Sequence, residues 1–209
     1  MLRDIAPVSL LGNWLPARFG EYDNVMNLPP MILPFDDSSP AILPDVLAPG
    51  LDLVLCGTAP SRASKEANAY YAKPGNRFWP TLHLVGLTPR LLQPAEYAEV
   101  LDYGLGLTDL CKTEWGSDQE LSRHCFDISG FTGKIERYRP AAVAFDSKHA
   151  GKNFFRRASV HYGRQPETLF GAVLFIVPSP SGRARGYWDT APWMELGEFV
   201  RRRREARHP

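Results

Sequence analysis

From Leu51 onward the chain alternates short apolar runs with stretches whose apolar residues recur every three or four positions. The runs at 52–56, 105–108, 141–146 and 172–177 have the length of strands and are apolar at nearly every position. Strands without polar alternation are covered on both faces, as in parallel sheets. Between them lie helices with legible ends. Phe78, Trp79, Leu82 and Val85 share one face of a helix that Gly86 stops. Pro94 opens a second, with Tyr97, Val100 and Leu101 on one side and Gly104 as its end. Ser117-Asp118-Gln119-Glu120 has the form of a capping box and predicts a helix start. Asp127 caps a helix carrying Ile128, Phe131 and Ile135, and Trp193, Leu196 and Val200 stripe a last one that begins near Pro192. The alternation predicts an α/β fold, a three-layer α/β/α sandwich around a short, mostly parallel four-stranded sheet.

Residues 1–45 break this pattern. Pro29, Pro30, Pro34, Pro40 and Pro44 fall in a stretch of little periodicity, which reads as a proline-rich N-terminal arm ahead of a single domain at 46–209. With 209 residues, 44% of them hydrophobic, the chain can bury one full core. No apolar run approaches the roughly 18 residues of a membrane span. The opening residues lack the basic-then-apolar order of a secretory signal, so a cytoplasmic protein without membrane contact is expected. Cys56, Cys111 and Cys125 form no CxxC pair, which predicts neither a structural zinc site nor an iron–sulfur cluster; no metal and no cofactor is expected. The net charge of +1 says nothing for or against nucleic acid. The run Arg201–Arg204 reads as a solvated helix end, where cations suit the helix dipole.

Two loops carry the candidate chemistry. Gly57-Thr58-Ala59-Pro60-Ser61 follows the first strand, and Pro178-Ser179-Pro180-Ser181-Gly182-Arg183-Ala184-Arg185 follows the last. In an open parallel sheet both lie at the carboxyl edge, where such sheets place ligands. A small loop rich in backbone donors beside a stiff, doubly basic one suits a flat polar ring next to a phosphate backbone. Between them stands Tyr70-Tyr71-Ala72-Lys73-Pro74-Gly75-Asn76-Arg77-Phe78-Trp79. Tyr71 and Asn76 precede the helix and fall near the first loop. An aromatic there can stack on a base, for about 1–3 kcal/mol, and an amide can hold a water or read a base edge. The chain has no GxxxxGK[ST] and no GxSxG, which argues against a small-molecule enzyme of those classes on the same edge.

Taken in order, Asp45 to Gly57, GTAPS at 57–61, YAKPGNRFW at 71–79, KIERYRP at 134–140 and VPSPSGRAR at 177–185 resemble the uracil-DNA glycosylase superfamily over roughly residues 45–200. The resemblance is greatest to the mismatch-specific uracil/thymine-DNA glycosylases, while Tyr70-Tyr71 and NRFW are similar to hypoxanthine-DNA glycosylases. It implies a monofunctional, cofactor-free hydrolase that flips uracil, and also hypoxanthine or xanthine, out of DNA and cleaves its N-glycosidic bond. Duplex and single-stranded DNA are the implied partners, one copy suffices, and residues 46–209 form the catalytic domain. Gly57, Thr58, Ala59, Pro60 and Ser61 would form the active-site loop, whose available backbone N–H groups meet the base carbonyls, and Tyr71 would stack under the base. Ser181, Gly182, Arg183 and Arg185 would enter the DNA, Arg183 as the wedge. A lyase activity is not implied, since Lys73 is the one lysine in the three ligand-binding motifs and precedes Pro74.

The chain departs from the family pattern where many relatives carry Asn or Asp to orient the attacking water: it has Ala59. Where many carry His or Asn at the head of the last loop, it has Ser179. Either another group positions water, with Asn76 first and Asp109 second, or the protein binds damaged or abasic DNA without turnover. Asn76, Asp109 and Ser179 are therefore the expected catalytic residues of an active enzyme.

Overall fold

A computed structural model describes residues 41–182 and 188–207. Arg183, Arg185 and residues 1–40 of the proline-rich arm lie outside the described residues. Five strands form one sheet in the order β2-β1-β3-β5-β4. They are β1 (Leu53–Gly57), β2 (Leu105–Asp109), β3 (Ala142–Phe145), β4 (Gly163–Leu169) and β5 (Ala172–Ile176). The first three and β5 run parallel, each within a residue or two of its expected span. The fifth strand, β4, corrects the expectation of four: it pairs antiparallel with β5 at the sheet edge. Its sequence GRQPETL hides it, because polar residues dominate and Pro166 sits inside the register shift between Arg164 and Thr168. Proline cannot donate to a ladder, and an edge bulge is where a strand tolerates it.

The strand side chains divide by alternation into two cores. Leu53, Leu55, Leu105, Leu107, Ala142, Ala144 and Phe175 face one side, with Phe78, Trp79, Leu82, Trp193, Leu196 and Val200. Val54, Cys56, Val143, Phe145, Leu174 and Ile176 face the other, with Phe131, Ile135 and Ala150. The helices follow. α2 (Phe78–Leu84), α5 (Ala191–Arg207) and a 3-10 stretch (Pro94–Tyr103) cover the first face; α3 (Ile128–Tyr138) and α4 (Lys148–Phe155) cover the second. A short α1 (Arg62–Ala67) leads out of the first loop. Helix ends behave as their residues dictate. Asp127 accepts from Gly130 N at 2.8 Å at the start of α3, and Gly104 closes the 3-10 stretch with φ +65°.

The Ser117–Glu120 segment corrects the expected helix. Ser117 donates to Glu120 through both its N–H and its hydroxyl, at 2.6 and 2.7 Å, but only a turn follows. Leu121 is the one apolar residue between Ser117 and His124. A cap without an apolar stripe to bury gains too little tertiary packing to pull a helix after it. The arginine run is solvated in part: Arg201 and Arg202 pair with Glu198 on the same helix. Arg204 and Arg207 instead turn inward to Asp52 at the foot of β1.

One ion cluster ties the chain before β1 to the sheet. Asp45 takes Lys112 Nζ at 2.7 Å, Lys134 Nζ at 2.5 Å and the Thr108 hydroxyl at 2.7 Å. Burial would raise the Asp45 carboxyl, but the two ammonium groups outweigh it and hold the pKa below the ordinary value. Leu43 is fully buried and Val46 bridges Leu107 in β2, which fixes this segment on either side. Asp45→Ala leaves two buried ammonium groups uncompensated, and should cost about 3–5 kcal/mol. Urea unfolding should show a correspondingly lower midpoint; an unchanged midpoint would make the cluster ornamental.

Candidate active site

Register places the chemistry. β1 and β2 end level, with Gly57 opposite Asp109. Beyond β3 the Asp146 N–H donates to Cys56 O at 3.1 Å, so the Asp146 side chain stands at the same edge. The first loop is held there as the ladder continues, Leu110 N to Gly57 O at 3.0 Å and Cys111 N to Thr58 O at 2.9 Å. The last loop is pinned at two points: Trp193 Nε1 donates to Pro178 O at 2.9 Å, and Arg77 N to Pro180 O at 2.9 Å. A cleft of about 830 Å³ opens between them, lined by both loops, Tyr71, Asn76, Asp109, Asp146 and the turn at Trp115–Glu120. Arg62 and Lys65 lie over the Trp115 ring at 5.1 and 4.4 Å, placing cations on this wall.

The structure brings the expected residues together, with unequal capacity. Tyr71 holds a left-handed φ of +53°, which costs a non-glycine residue about 1–2 kcal/mol. Its ring lies flat on Phe78, centroids 3.6 Å apart at 12°. Asn76 Oδ1 accepts from Phe78 N at 2.8 Å and so shapes the start of α2. Since that partner is a donor, it fixes which end of the amide is the oxygen, leaving one lone pair on Oδ1 and the NH₂ group for other partners. Ser61 is likewise structural, its hydroxyl accepting from Ser64 N at 3.2 Å to cap α1. Ser179 Oγ accepts from Ser181 N at a long 3.4 Å and keeps its own proton to donate. Thr58, Ala59 and Pro60 line the cleft with Gly57, and Gly182 stands beside Gly75.

Asp109 is the residue with spare acceptor capacity. Its side chain is 4% exposed and its Oδ2 has no partner. It lies directly against Gly57: a Cβ there would stand 2.3 Å from Asp109 Oδ1. The first loop must therefore begin with glycine for the carboxyl to reach the cleft. Burial pushes the Asp109 pKa up to about 6, with Lys112 and Lys134 pulling against it. At pH 7.5 the group is mostly ionised and within reach of accepting a proton.

Sequence reasoning missed Asp146. It follows β3 directly, is 7% exposed and lines the cleft. Burial pushes its pKa up to about 8, and Asp109 and Asp118 add to the rise. The Tyr71 hydroxyl faces it and favours the charged form without closing a well-aligned hydrogen bond. A polar residue ending an apolar run at the sheet's carboxyl edge was the available signal. Among the described residues, Cys111, Glu114 and Cys125 lie mutually within 4.8 Å and could hold a metal. Both Glu114 oxygens already accept from Ser122, at 2.8 and 2.5 Å, and three donors fall short of a closed structural zinc site.

Both cleft carboxyls have folded pKa values above the ordinary 3.8. The folded chain then holds protons that the unfolded chain releases, so their contribution to stability is complete below about pH 4 and falls as pH rises. The loss is complete above about 6 for Asp109 and above about 8 for Asp146. Asp146→Asn cannot ionise, and its melting temperature should decline less than that of the wild type between pH 6 and 8. Parallel declines would show an ordinary Asp146 pKa.

The chain and its fold have known counterparts. The family model of the uracil DNA glycosylase superfamily matches residues 44–197. The solution NMR structure of a candidate uracil DNA glycosylase from Methanosarcina acetivorans superposes with a TM-score of 0.54 at 20% identity, covering 79% of this chain and 97% of that one. Similarity at that identity speaks for the fold; the family match spans most of the chain. Among the described residues no helix is long and apolar enough to cross a membrane. The chain belongs to the uracil DNA glycosylase superfamily.

Proposed function

We propose that the protein is a monofunctional DNA glycosylase that flips a deaminated base, uracil and also hypoxanthine or xanthine, into the cleft and hydrolyses its N-glycosidic bond. Asp109 carries this reading: an unpartnered buried carboxylate reaches the cleft of a glycosylase fold whose first loop has alanine at its usual water-orienting position. One copy acts, without cofactor, in the cytoplasm.

The chemistry follows from charge. As the C1′–N bond breaks, its electron pair leaves with the base and the sugar becomes cationic. The backbone N–H groups of the Gly57–Ser61 loop and the Ser179 hydroxyl are donors suited to the base anion. Each preorganised donor of this kind is typically worth about 2.7–4 kcal/mol. Tyr71, supported by Phe78 beneath it, supplies the platform for the base. Asp109 faces the cationic sugar, orients the water that adds to C1′ and takes its proton; the released base is protonated from solvent. Asn76, oriented by its bond from Phe78 N, assists from the cleft wall. Arg62 and Lys65 suit phosphates at the cleft mouth, and Arg183 and Arg185, by their place in the last loop, the DNA beyond it. Flipping costs a few kcal/mol, least at mismatches and in single strands, which favours poorly paired deaminated bases.

Single-turnover incubation with labelled oligonucleotides, followed by alkali cleavage at abasic sites, tests this. Uracil opposite guanine, uracil opposite adenine, single-stranded uracil, hypoxanthine and xanthine form the panel. Cleavage of at least one, fastest for uracil in weakly paired contexts, is expected. Tight retention on abasic DNA with no base released would make the protein a binder that has lost the chemistry, as Ala59 alone would suggest.

A further inference from the structure

We infer that Asp146 is a substrate-reading residue whose neutral carboxylic acid holds the ring N–H and adjacent carbonyl of an oxo-base, a class that includes 2,4-dioxopyrimidines and 6-oxopurines. This rests on the glycosylase reading and specifies the ligand of the same cleft.

Position comes first. Asp146 is anchored by its backbone to Cys56, one residue before the first loop, and Asp109 lies across from Gly57 on the other side of β1. The two carboxyls thus flank the floor of one cleft, on β2 and at the end of β3. No cation pairs with Asp146 among the described residues, although Lys112 and Lys134 both act on Asp109. Besides burial, the groups acting on Asp146 are the carboxyls of Asp109 and Asp118, which raise its pKa, and the Tyr71 hydroxyl and a backbone hydrogen bond, which oppose them without outweighing burial. Asp118 lies 3.8 Å from His149 Nδ1, and Lys148 is turned onto the Tyr162 ring. Nothing on these elements neutralises a charge on Asp146, and burial beside two other acids favours its protonated form, to about pH 8.

A protonated carboxyl has one donor and one acceptor side by side. An oxo-base presents the complement, a carbonyl acceptor beside a ring N–H. The same pair of hydrogen bonds fits the N3–H/O4 edge of uracil and the N1–H/O6 edge of hypoxanthine, which lets one site accept both ring sizes. The ionised form would set a carboxylate against the carbonyl and against the negative charge the base gains as it leaves. The neutral acid instead donates to that carbonyl, and the bond strengthens as charge develops. Two buried acids with separated pKa values thereby divide the work, Asp109 ionised toward the sugar and Asp146 neutral toward the base.

Single-turnover rates on uracil and hypoxanthine oligonucleotides, measured from pH 6 to 10, test the assignment. The wild-type rate should fall about tenfold per unit above pH 8. Asp146→Asn keeps a donor and an acceptor at every pH; it should stay within about fivefold of wild type at pH 7, and its alkaline fall should move up to the pH at which the base loses its own ring proton. Asp146→Ala should lose at least tenfold at pH 7 on both substrates. An alkaline fall with its midpoint unmoved in Asp146→Asn, or a wild-type rate in Asp146→Ala, would overturn the assignment while leaving the glycosylase reading intact. Absence of base release by the wild-type protein on every substrate would overturn both.

Discussion

The geometry of the cleft depends on a side chain that is missing. With no Cβ at Gly57, the Asp109 carboxyl can lie against the backbone of β1, where a Cβ would meet it at 2.3 Å. Parallel pairing sets the two residues opposite each other, and the continued ladder from Leu110 and Cys111 prevents them from drifting apart. A carboxylate supplied by the neighbouring strand can therefore work at the foot of a first loop that itself offers only Ala59. On the proposed reading, the role that many relatives give to the loop falls to Asp109 one strand over, on a rigid element rather than a flexible one.

Burial then decides what the carboxyls can do. Asp109 and Asp146 line one cleft, yet Lys112 and Lys134 act on the first and no cation on the second. The same desolvation thus leaves one acid ionised near neutrality and the other protonated. Those lysines are themselves held by Asp45, so a cluster that looks purely structural also sets the charge balance of the site. Fold stability gains little from the cleft: two buried acids with raised pKa values, a tyrosine at positive φ and orphaned polar atoms all cost free energy. Such concentrated strain is common where structure serves chemistry.

Much of the fold was legible because parallel strands buried on both faces announce themselves as apolar runs, and proline, glycine and Asp127 mark helix ends. The edge strand β4 was not, since Pro166 and its polar residues serve a solvent-facing bulge that periodicity does not describe. The Ser117 capping box misled for the opposite reason: its Glu120 half forms, Ser117 N–H to the carboxylate, but no apolar stripe follows to make it nucleate a helix. At the site, order along the chain identified both loops, Tyr71 and Asp109. The amide of Asn76 was legible too, but its bond from Phe78 N, which fixes its orientation at the start of α2, was not. Asp146 passed unnoticed because it reads as the polar end of a strand; only the sheet order β2-β1-β3 shows it flanking Gly57 opposite Asp109.

The most direct measurement compares single-turnover base release by wild-type protein and Asp109→Ala on uracil-containing duplex at pH 7.5, with abasic-DNA affinity measured alongside. A positioned base of this kind contributes typically about 10²–10⁴-fold. A loss in that range with affinity preserved is the expected result, and places the attacking water on β2. A rate within about threefold of wild type would contradict it, and would return that role to Asn76 or to solvent alone.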